Sequence, residues 1–507
     1  MHASFWNYFI DLLMFVYIVC SLGLFLIGLN TITNCILYLR NRKKVWAASR
    51  LPPPCVWPRM TIQLPIFNEK FVLERLLRAV ASLDYPSDRL QIQVLDDSTD
   101  STSELAICLV EHYRAAGLDI QYIHRDNRSG YKAGALTEGL KTATGQFIAL
   151  FDADFVPARD WLKQVIPHFQ DERVGFIQTR WSFLNRNENL VTRMACLVMD
   201  AHFVIEQTAR AGAGLLTNFN GSAGIWRRAA IDAAGGWQGD TLTEDLDLSL
   251  RAQLLGWKAV YLPQVFVPSE SPDQIDAYKN QQYRWVKGTI QVGRKHFIRL
   301  WKSPQRFLPK LLMSVNLTLM GWSFILVLLA QLLFLPIGLF APHILYVLGF
   351  SGVVALGPML YFLLAKTEGG PGLKERLLLL PFMVLLGVGV SVNNTLGALS
   401  GMISMGGVFE RTPKFNRSSP RVRPAGAGIP YIIRVSPAVW GELAMAFYFV
   451  ASVIILIPHL GLGTAPYMLV SAASYLLVSV MSLEQNRQRF SPTLAKEQAE
   501  HSPGTAT

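Results

Sequence analysis

The chain has 507 residues, with 47 Lys and Arg against 36 Asp and Glu, a formal charge of +11. Hydrophobic residues make up 51% and charged residues only 16%; a soluble globular chain carries about 25% charge, so a fully soluble protein is disfavoured. Cys20, Cys35, Cys55, Cys108 and Cys196 lie far apart with no C-x-x-C pair, which excludes a disulfide scaffold or zinc ribbon and suits a reducing compartment.

The first predicted element is a membrane span. Phe5 to Leu29 is apolar except for Asp11, and about 20 such residues cross a bilayer. Arg40, Arg42, Lys43 and Lys44 follow the run rather than precede it. That order disfavours a cleaved signal peptide and assigns the next domain to the cytosol. Residues 1–49 thus read as an N-terminal span with a basic flank.

From residue 50 charges become frequent and no apolar run is long enough to cross a bilayer. Alternating runs predict strands at Met60–Leu64, Leu90–Leu95, Ile120–His124, Phe147–Phe151 and Val174–Gln178. Lys70–Leu83 and Ser101–Ala116 read as intervening helices. The alternation predicts an α/β domain over 50–270 with a mostly parallel sheet, which binds ligands beyond the carboxyl ends of its strands.

Acidic residues fall at those ends. Asp96 and Asp97 close one predicted strand, and Asp152 and Asp154 close another in L-F-D-A-D-F. Carboxylates at i and i+2 on an extended segment share one face, and hard divalent ions take carboxylate together with phosphate oxygens. The plainer alternative is a solvated turn, against which the second acidic pair weighs. Lys132 lies among small residues in R-S-G-Y-K-A-G-A-L; it can neutralise phosphate, or be a surface lysine near a helix start. Thr243-Glu244-Asp245 opens a helix bearing Leu246, Leu248, Leu250 and Leu254. The helix dipole favours a carboxylate anion there and lowers its basicity, so Asp245 needs positioning to act as a general base. Thr243 alternatively serves only as a cap.

Residues 271–310 contain Q-Q-Y-R-W at 281–285, and Lys279 to Lys310 carries nine Lys or Arg and no Asp or Glu. Interleaved Trp285, Ile290, Phe297, Ile298 and Trp301 predict amphipathic helices on the inner leaflet. Arg284 can hold a diphosphate bidentately, and Trp285 can stack on a sugar. Apolar runs return at 311–340, 343–364, 377–405, 439–457 and 465–483, giving a membrane region over 311–483 with a cytosolic loop at 405–436. Ser391, Asn393, Asn394 and Thr395 interrupt the third run. The basic residues after it also belong in the cytosol, so it is expected to be re-entrant, interfacial or a tight hairpin. Residues 484–507 are expected as a disordered cytosolic tail.

P-I-F-N-E (65–69), D-D-S (96–98), D-A-D (152–154), T-E-D (243–245) and Q-Q-Y-R-W (281–285) occur in this order. The set resembles the membrane-embedded family 2 glycosyltransferases. The strings Q-V-L-D-D-S-T-D, R-D-N-R-S-G-Y-K-A-G-A-L and F-N-G-S-A-G-I-W-R are most similar to the cellulose-synthase-like mannan and glucan synthases and their bacterial relatives. The resemblance covers about residues 58–300.

It implies a GT-A-like domain and an inverting, metal-dependent hexosyltransferase using Mg²⁺ or Mn²⁺. The implied reaction carries hexose from UDP-glucose or GDP-mannose to a growing β-linked polysaccharide that leaves through the spans. The alternative it leaves open is a non-processive glycolipid synthase acting on diacylglycerol or ceramide. Pro65, Asn68, Glu69, Asp96, Asp97, Lys132 and Asp152 would bind the nucleotide sugar, with Asp152 and Asp154 holding the metal. Asp245 would be the catalytic base. Asn220, Gly221, Ser222, Glu244, Gln281, Arg284 and Trp285 would bind acceptor and diphosphate. V-F-E-R-T-P-K-F (408–415) is similar to the family's gating loop, through Phe409, Thr412 and Lys414, although Arg411 departs from the pattern. Trp322, Tyr346, Tyr361, Trp440 and Tyr448 are candidates to line the exit path, or else belong to a lipid belt. The expected partners are the donor, the polysaccharide or lipid acceptor, the bilayer and export proteins, with no nucleic acid. The expected location is a bacterial inner membrane, multi-pass, with the catalytic domain cytosolic.

Overall fold

The computed structural model describes residues 2–47, 51–347, 352–416, 433 and 435–489. Its strands are β1 (Met60–Ile66), β2 (Leu90–Asp96), β3 (Asp119–His124), β4 (Phe147–Leu150), β5 (Val174–Phe183), β6 (Gly224–Arg227) and β7 (Lys258–Ser269). They form one sheet in the order β3-β2-β1-β4-β6-β5-β7. All pairs are parallel except those of β6, which runs antiparallel between β4 and β5. The five strands expected from alternation are present. β6 and β7 escape that reading because β6, Gly-Ile-Trp-Arg, shows no alternation and β7 contains Pro263 and Pro268. An edge strand, which β7 is, tolerates proline.

Before the sheet lies α1 (His2–Ala47). Helices α2 (Leu73–Ala81), α3 (Thr102–Ala115) and α4 (Tyr131–Thr142) link the first four strands, and α5 (Trp161–Val165) precedes β5. Between β5 and β6, α6 (Leu190–Asp200) runs through a π-helical turn, Ala201–Gln207, into α7 (Thr208–Gly212). Between β6 and β7 lie α8 (Arg228–Ala233) and α9 (Glu244–Leu254). After β7 come α10 (Ile275–Lys302), α11 (Phe307–Leu317), α12 (Leu319–Phe340), α13 (Pro342–Val347), α14 (Gly352–Leu364), α15 (Leu373–Gly389), α16 (Ser391–Ile403), α17 (Ala438–Leu460) and α18 (Ala465–Arg489).

The strand alternation has an unexpected cause. Thr61, Gln63, Gln91 and Gln93 are as buried as their apolar neighbours, so neither face of β1 or β2 is solvated. The polar face is satisfied internally. Thr61 Oγ1 donates to Gln91 Oε1 at 2.8 Å, Gln63 Nε2 to Gln93 Oε1 at 3.0 Å, and Gln93 Nε2 to Thr142 Oγ1 of α4 at 3.0 Å. On the opposite face α2 presents Leu73, Leu76, Leu77 and Val80, the spacing of one helical stripe.

Among the described residues, four helical segments, Phe5–Ala47, Gly321–Phe340, Ala438–Leu460 and Leu462–Arg487, are long and apolar enough to cross a membrane. The pair α15 and α16 makes a fifth if counted as one span, and it bends by 44° where the polar residues interrupt the run. Several expected boundaries shift. The 311–340 run breaks at Thr318 into α11 and α12. The 343–364 run appears as α13 and α14, with 348–351 outside the described residues. The expected tail begins as helix, since α18 reaches Arg489; residues 490–507 lie outside the described residues, as do 417–432 and 434 of the expected loop. Among the expected path-lining aromatics, Trp322 is 43% and Trp440 70% exposed, so neither packs inside the helix bundle.

Helix α1 does not stop with its apolar run. Its 46 residues extend about 69 Å at 1.5 Å each, against roughly 30 Å of hydrocarbon. The C-terminal part enters the α/β domain, where Val45 packs with Phe203 and Tyr261. Helix α10 is held to the membrane helices in two ways. Gly397 and Gly401 of α16 approach its backbone so closely that a Cβ would lie 2.9 Å from Tyr283 O or 2.8 Å from Lys287 O. Lys279 of α10 is fully buried against Glu442 of α17 at 2.8 Å, with Ser482 of α18 at 3.3 Å. Removing one partner of such a pair strands a buried charge and costs about 3–5 kcal/mol. Lys279→Met should therefore lower the thermal midpoint in detergent, and adding Glu442→Leu should recover part of the loss; equal midpoints for wild type and Lys279→Met would show that the pair does not secure α10.

Candidate active site

The order of strands reverses around β1, with β2 on one side and β4 on the other, which leaves a crevice at their carboxyl ends. Pro65 and Glu69 reach it from β1 and the loop after it, Asp97 from the end of β2, and Asp152 and Asp154 from the end of β4. Lys132 comes from the first turn of α4. Opposite them stand Asn220 and Gly221 before β6, and Glu244 and Asp245 at the start of α9. Gln281, Arg284 and Trp285 of α10 close one side, and Phe409, Thr412 and Lys414 descend from the segment after α16. Folding thus brings these sixteen of the nineteen expected residues to one cleft.

Asp96, Asn68 and Ser222 stand outside the cleft lining and serve its frame. Asp96 is fully buried and accepts from Ser98 N at 2.8 Å, Ser103 Oγ at 2.6 Å and Tyr122 OH at 2.7 Å. Burial disfavours its charge, but these hydrogen bonds outweigh burial and hold its pKa below the usual carboxylate value. Asn68 has a left-handed φ of 54° and pins two loops together. Its N–H donates to Ser98 Oγ at 2.8 Å, and its Oδ1 accepts from Thr99 N at 2.8 Å. Ser222 is fully buried, and its Oγ accepts the Asp152 N–H at 2.9 Å.

The cleft carboxylates are held by cations from distant segments. Arg125 clamps Asp97 through Nε at 2.7 Å and through Nη2. Lys132 Nζ bonds Asp152 and donates to Gly221 O at 2.9 Å. Lys414 Nζ donates to Asp154 Oδ2 at 2.8 Å, and Arg411 pairs with Glu69 at 3.0 Å. Burial raises the Glu69 pKa to about 7 although Arg411 opposes it. Glu270 is a residue the sequence reading missed. Its N–H donates to Asp154 Oδ2 at 2.8 Å, and Arg75 holds its carboxylate at 2.7 Å. It follows β7, and without that strand nothing marks Glu270 as standing at a strand end. Arg128 and Trp181 also line the cleft unannounced, and Gln282 of the Q-Q-Y-R-W segment joins them.

Asp245 lies beside Gly221. The glycine has φ +83°, and a Cβ there would sit 2.9 Å from Asp245 Oδ2, so this loop leaves the carboxylate room that a side chain would take. Asp245 Oδ1 accepts Leu246 N at 2.8 Å. The helix dipole alone would make Asp245 a weak base. Burial, with the neighbouring Glu244 carboxylate, raises its pKa instead, to about 7. Thr243 occupies the N-cap position but makes no side-chain cap bond.

The described residues contain no group of three or more His, Cys, Asp or Glu placed to hold a metal. Asp152 and Asp154 nevertheless fit the protein's share of a hard divalent shell, in which water and diphosphate oxygens complete the set. Each already holds a lysine ammonium, so both carboxylates attract cations.

Residues 58–288 match the model of a family described as "Glycosyltransferase like family 2". A "Probable glucomannan 4-beta-mannosyltransferase 11" from Oryza sativa subsp. japonica is 45% identical over 249 residues, 48% of this chain and 44% of that protein. "Glucomannan 4-beta-mannosyltransferase 9" of Arabidopsis thaliana is 43% identical over 244 residues, 47% of this chain and 46% of that protein. The chain spans about half the length of the curated relatives it matches. These relatives are plant proteins and lend no support to the expected bacterial membrane. Among solved structures, a mannosyltransferase from Pyrobaculum calidifontis in complex with GDP-Man and Mn²⁺ superposes with a TM-score of 0.50 at 20% identity, covering 77% of this chain and 99% of that one. The sheet order and the crevice agree with a GT-A-like fold, and residues 58–288 are similar to the glycosyltransferase like family 2.

Proposed function

We propose that the protein transfers a hexose, with inversion, from a nucleotide sugar to the end of a β-1,4-linked polysaccharide, with mannose from GDP-mannose as the leading donor. The observation that carries this reading is one cleft in which a carboxylate of raised basicity, Asp245, faces the Lys132, Asp152 and Asp154 cluster across Gly221. The acceptor's identity comes from the plant relatives, which are named for glucomannan synthesis.

In this mechanism Asp245 takes the proton of the acceptor hydroxyl. The freed oxygen attacks the anomeric carbon, and the bond from that carbon to the diphosphate oxygen breaks, its electron pair leaving with the diphosphate. One base and no protein nucleophile give single displacement, so an α-linked donor yields a β-linked product. Lys132 and Arg284 stabilise the departing negative charge. A divalent ion held by Asp152 and Asp154 supplies further charge neutralisation when bound. Glu69 and Asp97 border the nucleotide, while Gln281 and Trp285 meet the acceptor sugar. Phe409, Thr412 and Lys414 cover the donor from the segment after α16. The membrane-length helices packed around α10 provide a route by which a growing chain leaves, and the catalytic face is cytosolic.

The assay uses protein in lipid nanodiscs with Mn²⁺ or Mg²⁺, supplied separately with radiolabelled GDP-mannose and UDP-glucose. A long product sensitive to a β-glycanase supports the reading; a single-sugar, organic-extractable product overturns it in favour of a glycolipid synthase. Asp245→Asn should lower kcat by about 10²–10⁴-fold with the nucleotide Kd unchanged; wild-type turnover would remove Asp245 as the base. Asp245 must be unprotonated to accept a proton, so kcat/KM in the wild type should fall as pH drops below about 7, and a flat profile from pH 5 to 8 would contradict that role. Asp154→Ala should weaken Mn²⁺-dependent nucleotide binding by at least about tenfold, read by calorimetry with and without the ion.

A further inference from the structure

The π-helical turn Ala201–Gln207 interrupts an otherwise regular rod beside the cleft. Such turns recur at functional sites. In an α-helix, residues five apart point about 140° away from each other; a π turn, with its i to i+5 register, stacks them. Here the stacked pair is His202 and Gln207, and both reach Asn220. Gln207 Nε2 donates to Asn220 Oδ1 at 2.6 Å and to the Asn218 carbonyl at 2.9 Å. Asn220 Nδ2 lies 2.9 Å from His202 Nε2, and His202 Nδ1 lies 2.9 Å from Glu206 Oε2. Arg210 Nη1 completes the chain at 3.3 Å from Glu206 Oε1.

The direction of every bond follows from one fixed point. A backbone carbonyl only accepts, so the Gln207 atom facing Asn218 O is its amide nitrogen. The Asn220 atom facing that nitrogen is then its oxygen, which turns the Asn220 nitrogen toward His202. Nε2 of His202 must accept, so its proton sits on Nδ1 and is donated to Glu206. Asn220 cannot flip without setting donor against donor at Gln207 and lone pair against lone pair at His202. Its amide keeps one N–H and one lone pair unused by this clamp. A sugar hydroxyl is both donor and acceptor and matches that remainder.

We propose that His202, Gln207 and Glu206 are positioning residues that lock the Asn220 carboxamide, so that its free N–H and lone pair orient the acceptor sugar hydroxyl for Asp245. The inference rests on the transferase reading of this cleft and adds the device that fixes acceptor orientation.

The test measures transfer in nanodiscs to β-1,4-mannotetraose, together with the Kd of GDP and UDP. His202→Leu should lower kcat/KM for the tetraose by about tenfold and leave nucleotide Kd unchanged. H202Q, whose Oε1 reaches the place of Nε2, should keep most of the activity. His202→Leu combined with Asn220→Ala should be no worse than Asn220→Ala alone, because both remove the same amide's action. Additive losses, an H202Q as poor as His202→Leu, or a matching loss of nucleotide binding would each overturn the clamp. If His202→Leu does not fold, Gln207→Met takes its place in the cycle with the same expectations. Wild-type protein that transfers no sugar from either donor, to the tetraose or to an endogenous acceptor, overturns the transferase reading and the clamp with it. Wild-type transfer with additive losses overturns the clamp alone.

Discussion

Seven carboxylates, those of Glu69, Asp97, Asp152, Asp154, Glu244, Asp245 and Glu270, converge on one crevice. Taking ionised groups out of water costs several kcal/mol each unless counter-charges meet them, and this demand organises the molecule. The counter-charges do not come from neighbouring positions in the chain. Arg125 and Lys132 arrive from the β3–α4 region, Arg75 from α2, and Arg411 and Lys414 from beyond α16. Each pairing ties a remote segment to the sheet's carboxyl edge. The segment after α16 therefore lies against the catalytic domain for an electrostatic reason, with Arg284 Nη1 adding a bond to Glu410 O at 2.9 Å.

The membrane-length helices belong to the same frame as the sheet. Helix α1 runs from its apolar, membrane-length part into contact with Phe203 and Tyr261, next to the π-helical turn. Helix α10 carries Gln281, Arg284 and Trp285 into the cleft, while its other side meets the glycines of α16 and the buried Glu442 of α17. Close backbone approach through small residues is the usual means of joining helices where no hydrophobic drive exists between them. A displacement of these helices would be felt where Gln281, Arg284 and Trp285 line the cleft, within one turn of α10.

Much of the site is legible in the chain because its chemistry is local to strand ends. V-L-D-D-S and L-F-D-A-D-F place acids directly after apolar strands, and a parallel sheet turns those ends toward one edge. The reading fails where orientation, not position, decides. Asp96 and Asp97 are adjacent, yet only Asp97 lines the cleft, since successive side chains on a strand point to opposite faces. Asp245 shows the same limit in its energetics. Its place at a helix start is visible, but its raised basicity depends on burial and on Glu244. Glu270 goes unseen because the strand before it is interrupted by prolines, which an edge position and a break in register accommodate.

The alternation of Met60–Ile66 and Leu90–Asp96 and the apolar runs of the membrane-length helices were determined by the sequence alone, because polar–apolar alternation and run length are properties of a single segment. The same holds for the ordered acidic motifs. The tertiary structure decided which residues of the polar strand face pair with one another, that a π turn aims His202 and Gln207 at one amide, and which cation neutralises which carboxylate. These partners are far apart in the chain or depend on helical register. Their pairing is set by satisfying buried polar groups in three dimensions, a condition no local pattern records.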